Sequence, residues 1–87
     1  MSVRVEFYGV ARSRAGVESI DVEAETLQGA IQAAALRLPT FRRDCVDNGR
    51  LRDGYIANIN GETFTRDPDA ALRSGDAVLI LSADAGG

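Results

Sequence analysis

Only one stretch of this chain carries the apolar spacing of a helix, and that limits the architectures open to it. Thr26 is suited to cap the stretch, Leu27, Ile31, Ala34 and Leu38 recur at helical intervals, and Pro39 supplies a stop. Gly29 weakens such a helix by up to about 1 kcal/mol relative to alanine. Its stability must therefore come mainly from packing its apolar stripe against another element.

The remaining segments read as strands. Val3, Val5 and Phe7 alternate with Arg4, Glu6 and Tyr8. After a loop over residues 9–16, Ile20, Val22 and Ala24 alternate with Asp21 and Glu23, as expected of an antiparallel hairpin with the first strand. Residues 40–54 are polar and irregular, with room for one helical turn that places Phe41, Cys45 or Val46 inward. Residues 55–59 form the next expected strand. Asn60-Gly61, both tolerant of positive φ, turns it back onto Glu62-Thr63-Phe64. A polar stretch with Pro68 and a turn at Gly75-Asp76 lead to Ala77-Val78-Leu79-Ile80-Leu81, a continuous apolar run suited to a central strand. The order is ββαβββ. One helix covers one face of a sheet only, so the pattern predicts an α+β fold of the β-grasp type: a mixed sheet with the last strand central and the main helix packed across it. Residues 1–81 form this domain, and residues 82–87 are expected to project as a flexible tail.

Because the last strand is apolar on both sides, Val78 and Ile80 are expected to face the helix, and Leu79 and Leu81 to face solvent beside Tyr8. The resulting patch reads as a docking surface for another protein. The alternative is scattered exposed apolar residues or a face covered by a loop. The assignment depends on register, since a slip by one residue inverts it.

Composition narrows the function. At 87 residues, 45% apolar and 26% charged, the chain suits one soluble domain. A net charge of −3, with arginines and acids interspersed, leaves no basic stripe for a phosphate backbone, so no nucleic-acid partner is expected. There is no His and a single Cys, which removes His-assisted nucleophiles, zinc clusters and internal disulfides. Neither a metal site nor catalytic residues of its own are expected, and the chain reads as a non-enzyme. Cys45 reads either as a relay thiol or as a small core hydrophobe. The opening residues alternate instead of showing a basic region followed by an apolar run, so no signal peptide is expected. No stretch reaches membrane-spanning length, and a cytoplasmic location without membrane contact follows as the expectation.

Beyond Leu81 the chain runs Ser82-Ala83-Asp84-Ala85-Gly86-Gly87, all small residues ending in a diglycine. Taken alone, such an end is also what fraying or an expression remnant leaves. Together with Val3-Arg4-Val5-Glu6-Phe7-Tyr8, the helix from Thr26 to Leu38, Asn60-Gly61 and Gly75-Asp76-Ala77-Val78, it makes the chain resemble the MoaD/ThiS sulfur carriers, ubiquitin-like β-grasp proteins. The resemblance implies that an E1-like adenylating enzyme (MoeB/ThiF-like) spends ATP to activate the Gly87 carboxylate. A sulfur donor then converts it to a thiocarboxylate, and a synthase subunit accepts the sulfur. It implies no cofactor bound by this chain, since the ATP belongs to the partner. Gly86 and Gly87 would enter the partner's tunnel, where a Cβ would obstruct passage. Tyr8, Leu79, Leu81, Asp84 and Ala85 would form the partner interface.

Molybdopterin synthase small subunits typically carry a Pro-Pro-apolar segment where this chain has Ser82-Ala83-Asp84. The receiving pathway therefore stays open among molybdopterin, thiamine thiazole, cysteine, thiolated tRNA and a specialised pathway, with molybdopterin first on prevalence. Two other classes remain: a ubiquitin-like modifier conjugated through Gly87, and a β-grasp binding module without carrier chemistry. The chain has no Lys, which rules out chains of modifiers built on its own side chains.

Overall fold

In the computed structural model, which describes residues 1–84, the alternating N-terminal segment forms β1 (Ser2–Phe7) with Val3, Val5 and Phe7 buried. It pairs antiparallel with β2 (Ser19–Glu23), Val5 opposite Ile20 and Val3 opposite Val22. The expected loop between them is instead a short helix, α1 (Val10–Ala15), between Gly9 and Gly16. Gly16 takes a left-handed φ of 78° and donates its N–H to the Arg12 carbonyl at 2.8 Å, closing the helix as glycine does without a Cβ penalty.

The main helix, α2 (Leu27–Arg37), starts where Thr26 predicts: the threonine hydroxyl accepts the Gly29 N–H at 3.1 Å. Its next free donors are also met, Leu27 N–H by the Ala70 carbonyl and Gln28 N–H by the Pro68 carbonyl, so the polar stretch before the last strand closes the helix start. Leu27, Ala30, Ile31, Ala34 and Ala35 face the core. Pro39 ends α2 and also opens a further helix, α3 (Pro39–Cys45), at a position where its missing N–H costs nothing. Phe41, Cys45 and Val46 do turn inward, and the Phe41 ring meets Phe7 edge to face at 5.1 Å. A hairpin of β3 (Val46–Asp47) and β4 (Arg50–Leu51) follows, turned by Asn48 and Gly49 at positive φ. Residues 40–54 are thus largely ordered secondary structure, not irregular chain.

β5 (Tyr55–Ile59) turns at Asn60-Gly61, with φ of 56° and 72°, into β6 (Thr63–Thr65). The last strand, β7 (Ala77–Ser82), lies at the centre of the order β2-β1-β7-β5-β6, parallel to β1 and antiparallel to β5. This is the mixed β-grasp sheet. All three helices contribute to one core with the inward sides of β1, β5 and β7, which leaves the other face of the sheet open. No helix among the described residues is long and apolar enough to cross a membrane.

Candidate functional site

Gly86 and Gly87, the expected carriers of the chemistry, and Ala85 of the expected interface lie outside the described residues; they are the second half of the expected tail. The structure does describe the base from which they start. β7 continues through Ser82, paired with Tyr55, and Ala83 donates its N–H to the Gly54 carbonyl at 2.9 Å. On the other side the Tyr8 N–H donates to the Ile80 carbonyl at 3.0 Å. The chain therefore leaves the sheet between the Tyr8 corner and the start of β5, and Asp84 is exposed at that point.

The strand ladders define the open face row by row. Glu6 stands opposite both Ser19 and Leu79, Leu79 opposite Asn58, and Asn58 opposite Phe64. One transverse row thus runs Ser19, Glu6, Leu79, Asn58, Phe64 across all five strands. In the next row toward the chain exit, Leu81 stands opposite Ile56, with Tyr8 following in step on the other side. The register is the expected one, since Val78 and Ile80 are fully buried on the helix side.

Exposure differs from expectation within that face. Tyr8 is 54% exposed and Leu79 half-buried, whereas Leu81, expected to face solvent, retains only 6% exposure. The physical reason is position: a residue of a central strand is flanked on its own face by neighbours from both adjacent strands, here Ile56 and the Tyr8 corner. Phe64, a residue sequence reasoning passed over, is 52% exposed at the edge of the same face. Asn58 was missed as well. It is 6% exposed, and its Oδ1 is buried without a hydrogen-bond partner among the described residues. The alternation of Tyr55–Ile59, which sends Ala57 to the core, was the available signal for its place on the open face.

The Gly75-Asp76 and Asn60-Gly61 turns prove to be joined. Asn60 Nδ2 donates to Asp76 Oδ1 at 2.9 Å, and Asn60 Oδ1 accepts the Ala77 N–H at 2.8 Å. Asp76 Oδ2 accepts the Arg73 N–H at 2.8 Å. The Asn60 amide and then the Arg73 N–H hold the Asp76 carboxyl below its ordinary range, because both bonds favour the ionised form. These residues anchor the start of β7 and lie at the opposite end of that strand from the chain exit.

Cys45 is fully buried in the core cluster, and burial pushes its thiol above the ordinary value. Burial likewise raises the neighbouring Tyr55 hydroxyl, with the Cys45 thiol adding to the effect. A thiolate is the reactive form, so this environment favours the core hydrophobe over the relay.

The profile of the ThiS family matches residues 5–87. No curated protein matches the chain by sequence. Among solved structures, small archaeal modifier protein 1 (SAMP1) from Haloferax volcanii superposes with a TM-score of 0.81 at 23% identity, covering 100% of both chains. A chain of the Amycolatopsis orientalis BexX/CysO complex gives a TM-score of 0.78 at 24% identity, covering 98% of this chain and 99% of that one. A chain of the complex of subunits 1 and 2 of the molybdopterin-converting factor from Helicobacter pylori gives 0.63 at 18% identity, with coverages of 94% and 93%.

Proposed function

This chain belongs to the ThiS family, and from that premise we propose that it is a sulfur carrier whose Gly87 carboxylate is activated by an E1-like adenylating enzyme and converted to a thiocarboxylate. The observation that carries the reading is continuity. A family match that extends to residue 87 covers the terminal diglycine, and the central strand of the sheet is the last element before it in the sequence.

A carboxylate resists nucleophilic attack because its leaving group would be oxide. In the adenylation step its oxygen attacks the α-phosphorus of ATP and pyrophosphate leaves, which turns that oxygen into part of a good leaving group. Sulfur handed over by the donor at the level of hydrosulfide then attacks the carbonyl carbon, AMP leaves with the C–O bonding pair, and loss of the sulfur's proton gives the thiocarboxylate. The ATP and the catalytic groups belong to the partner, in keeping with the absence of His from this chain. The use of ATP suits a cytoplasmic protein.

The contribution of this chain is presentation. The sheet holds the base of the terminal segment, and the open face beside it offers Tyr8, Leu79 and Phe64 as contact surface, with Leu81 on the same face but largely buried. Asp84 and Ala85 follow as the segment enters the partner. For the receiving pathway, molybdopterin synthesis stays first on prevalence, and the folds shared with a chain of the molybdopterin-converting factor complex and with a chain of the BexX/CysO complex are compatible with more than one acceptor.

The likeness to a small archaeal modifier protein over the full length of both chains favours one second reading, in which the activated Gly87 is passed to lysines of target proteins. Both readings share the adenylation step. ATP-pyrophosphate exchange catalysed by the adenylating enzyme of the same cell tests it: intact protein should support exchange, and protein lacking Gly86-Gly87 should not. Equal exchange with both would remove the carrier and modifier readings together.

A further inference from the structure

The transverse row on the open face combines features that a purely apolar docking surface lacks. At its centre Leu79 is half-buried, and Asn58 beside it hides an amide oxygen with no partner among the described residues. A buried acceptor without a donor destabilises the free domain, and an apolar side chain of similar size would avoid that cost. On the other side of Leu79 stands Glu6, half-buried and used by none of the ion pairs among the described residues. Glu6, Leu79, Arg12, Glu18 and Ser19 line a depression of about 300 Å³ on this face. Its one cation among the described residues, Arg12, already serves Glu18 at 3.6 Å and the Phe7 carbonyl at 3.1 Å. The depression therefore carries a surplus of negative charge. At the far end of the row, Phe64 exposes its ring.

We infer that this row is the recognition element for an arginine of the adenylating partner, which lies over Leu79 and donates to Asn58 and Glu6. The inference rests on the docking role proposed above and adds its chemistry. Arginine fits better than lysine because its guanidinium is planar, weakly hydrated and able to donate in several directions while its face rests on apolar or aromatic surface. The Asn58 oxygen is shut off from solvent where it stands, so the partner's donor meets it after the amide turns over. Asn58 is thus a specificity-determining residue, retained at the expense of the free domain.

The test compares the affinity of the adenylating enzyme for wild type, Asn58→Leu, Glu6→Gln and the double variant by titration calorimetry, alongside thermal unfolding of each free protein. Asn58→Leu should melt no lower than wild type yet bind about tenfold or more weakly, the loss expected when a charge-assisted hydrogen bond is removed. Glu6→Gln should also bind more weakly. The double variant should lose less than the two single losses combined, because both act on one cation. Asn58→Leu binding as tightly as wild type, or more tightly, would overturn the arginine assignment while leaving the carrier reading intact. Wild type that fails to bind the enzyme would overturn the carrier reading and this inference with it.

Discussion

The Asn60 amide bridges two turns far apart in sequence, donating to the Asp76 carboxylate at 2.9 Å while accepting the Ala77 N–H at 2.8 Å. The turn between β5 and β6 is thereby tied to the first residue of the central strand. Asn60 sits at a φ of 56°, which asparagine tolerates better than most residues with a side chain. Asn60→Gly keeps that backbone and deletes both side-chain bonds, so it should lower stability by about 1–2 kcal/mol. Asn60→Ala should cost more, because alanine adds strain at positive φ. Chemical denaturation of the two variants checks the order.

Acidification should act through the same junction. The folded-state pKa of Asp76 lies below the ordinary 3.8, so its contribution is complete above that value and is lost as pH falls through the depressed folded value. Asp44, lowered chiefly by its hydrogen bond from Arg43, acts with the same sign. The unfolding temperature should fall as pH drops below about 4. Asp76→Ala should start lower at neutral pH and lose less on acidification. A variant whose acid dependence matches wild type would show that Asp76 is not the linked group.

Burial separates two leucines of one strand face. Leu81→Ala should cost about 2–3 kcal/mol as a largely buried site, and Leu79→Ala about 1 kcal/mol as a half-buried one. Val78→Glu should unfold the domain by placing an unpaired charge in the core. Urea unfolding of the three variants ranks them, and a larger loss for Leu79 than for Leu81 would contradict the observed exposure.

Cys45 should resist alkylation in the native protein and react once urea unfolds it, because its thiol is fully buried and raised in pKa. Cys45→Ala should support adenylation and sulfur loading at wild-type levels. Loss of loading in a folded Cys45→Ala protein would restore the relay role.

The sheet was legible because its signals are periodic: β1, β2 and β7 alternate or run apolar over five or six residues, and the Asn60-Gly61 turn has its own chemistry. What escaped is short. α1 has six residues between two glycines, too few for helical periodicity to show, although Ala11 and Ala15 do fall on one face. The β3–β4 hairpin turns on Asn48-Gly49, the same dipeptide that marked the later hairpin, but its strands of two residues each carry no alternation. The open face was legible as to register and not as to exposure. Alternation tells which side Leu81 takes, while neighbouring strands decide how much of it water reaches. Asn58 was hidden for a related reason, since only the ladder places it between Leu79 and Phe64.

In the proposed chemistry Gly87 becomes a thiocarboxylate. Intact-mass measurement after incubation with ATP, the adenylating enzyme and a sulfur donor tests it most directly. Full-length protein should gain the mass difference of one oxygen replaced by sulfur, localised to the C-terminal peptide. Protein lacking Gly86-Gly87 should stay unchanged while melting at nearly the same temperature, since the deletion removes no large apolar side chain and should shift stability by no more than about 0.5 kcal/mol. Isopeptide-linked adducts in place of the sulfur exchange would favour the modifier reading. An unchanged mass for the full-length protein, or equal loading of the truncated one, would contradict the account.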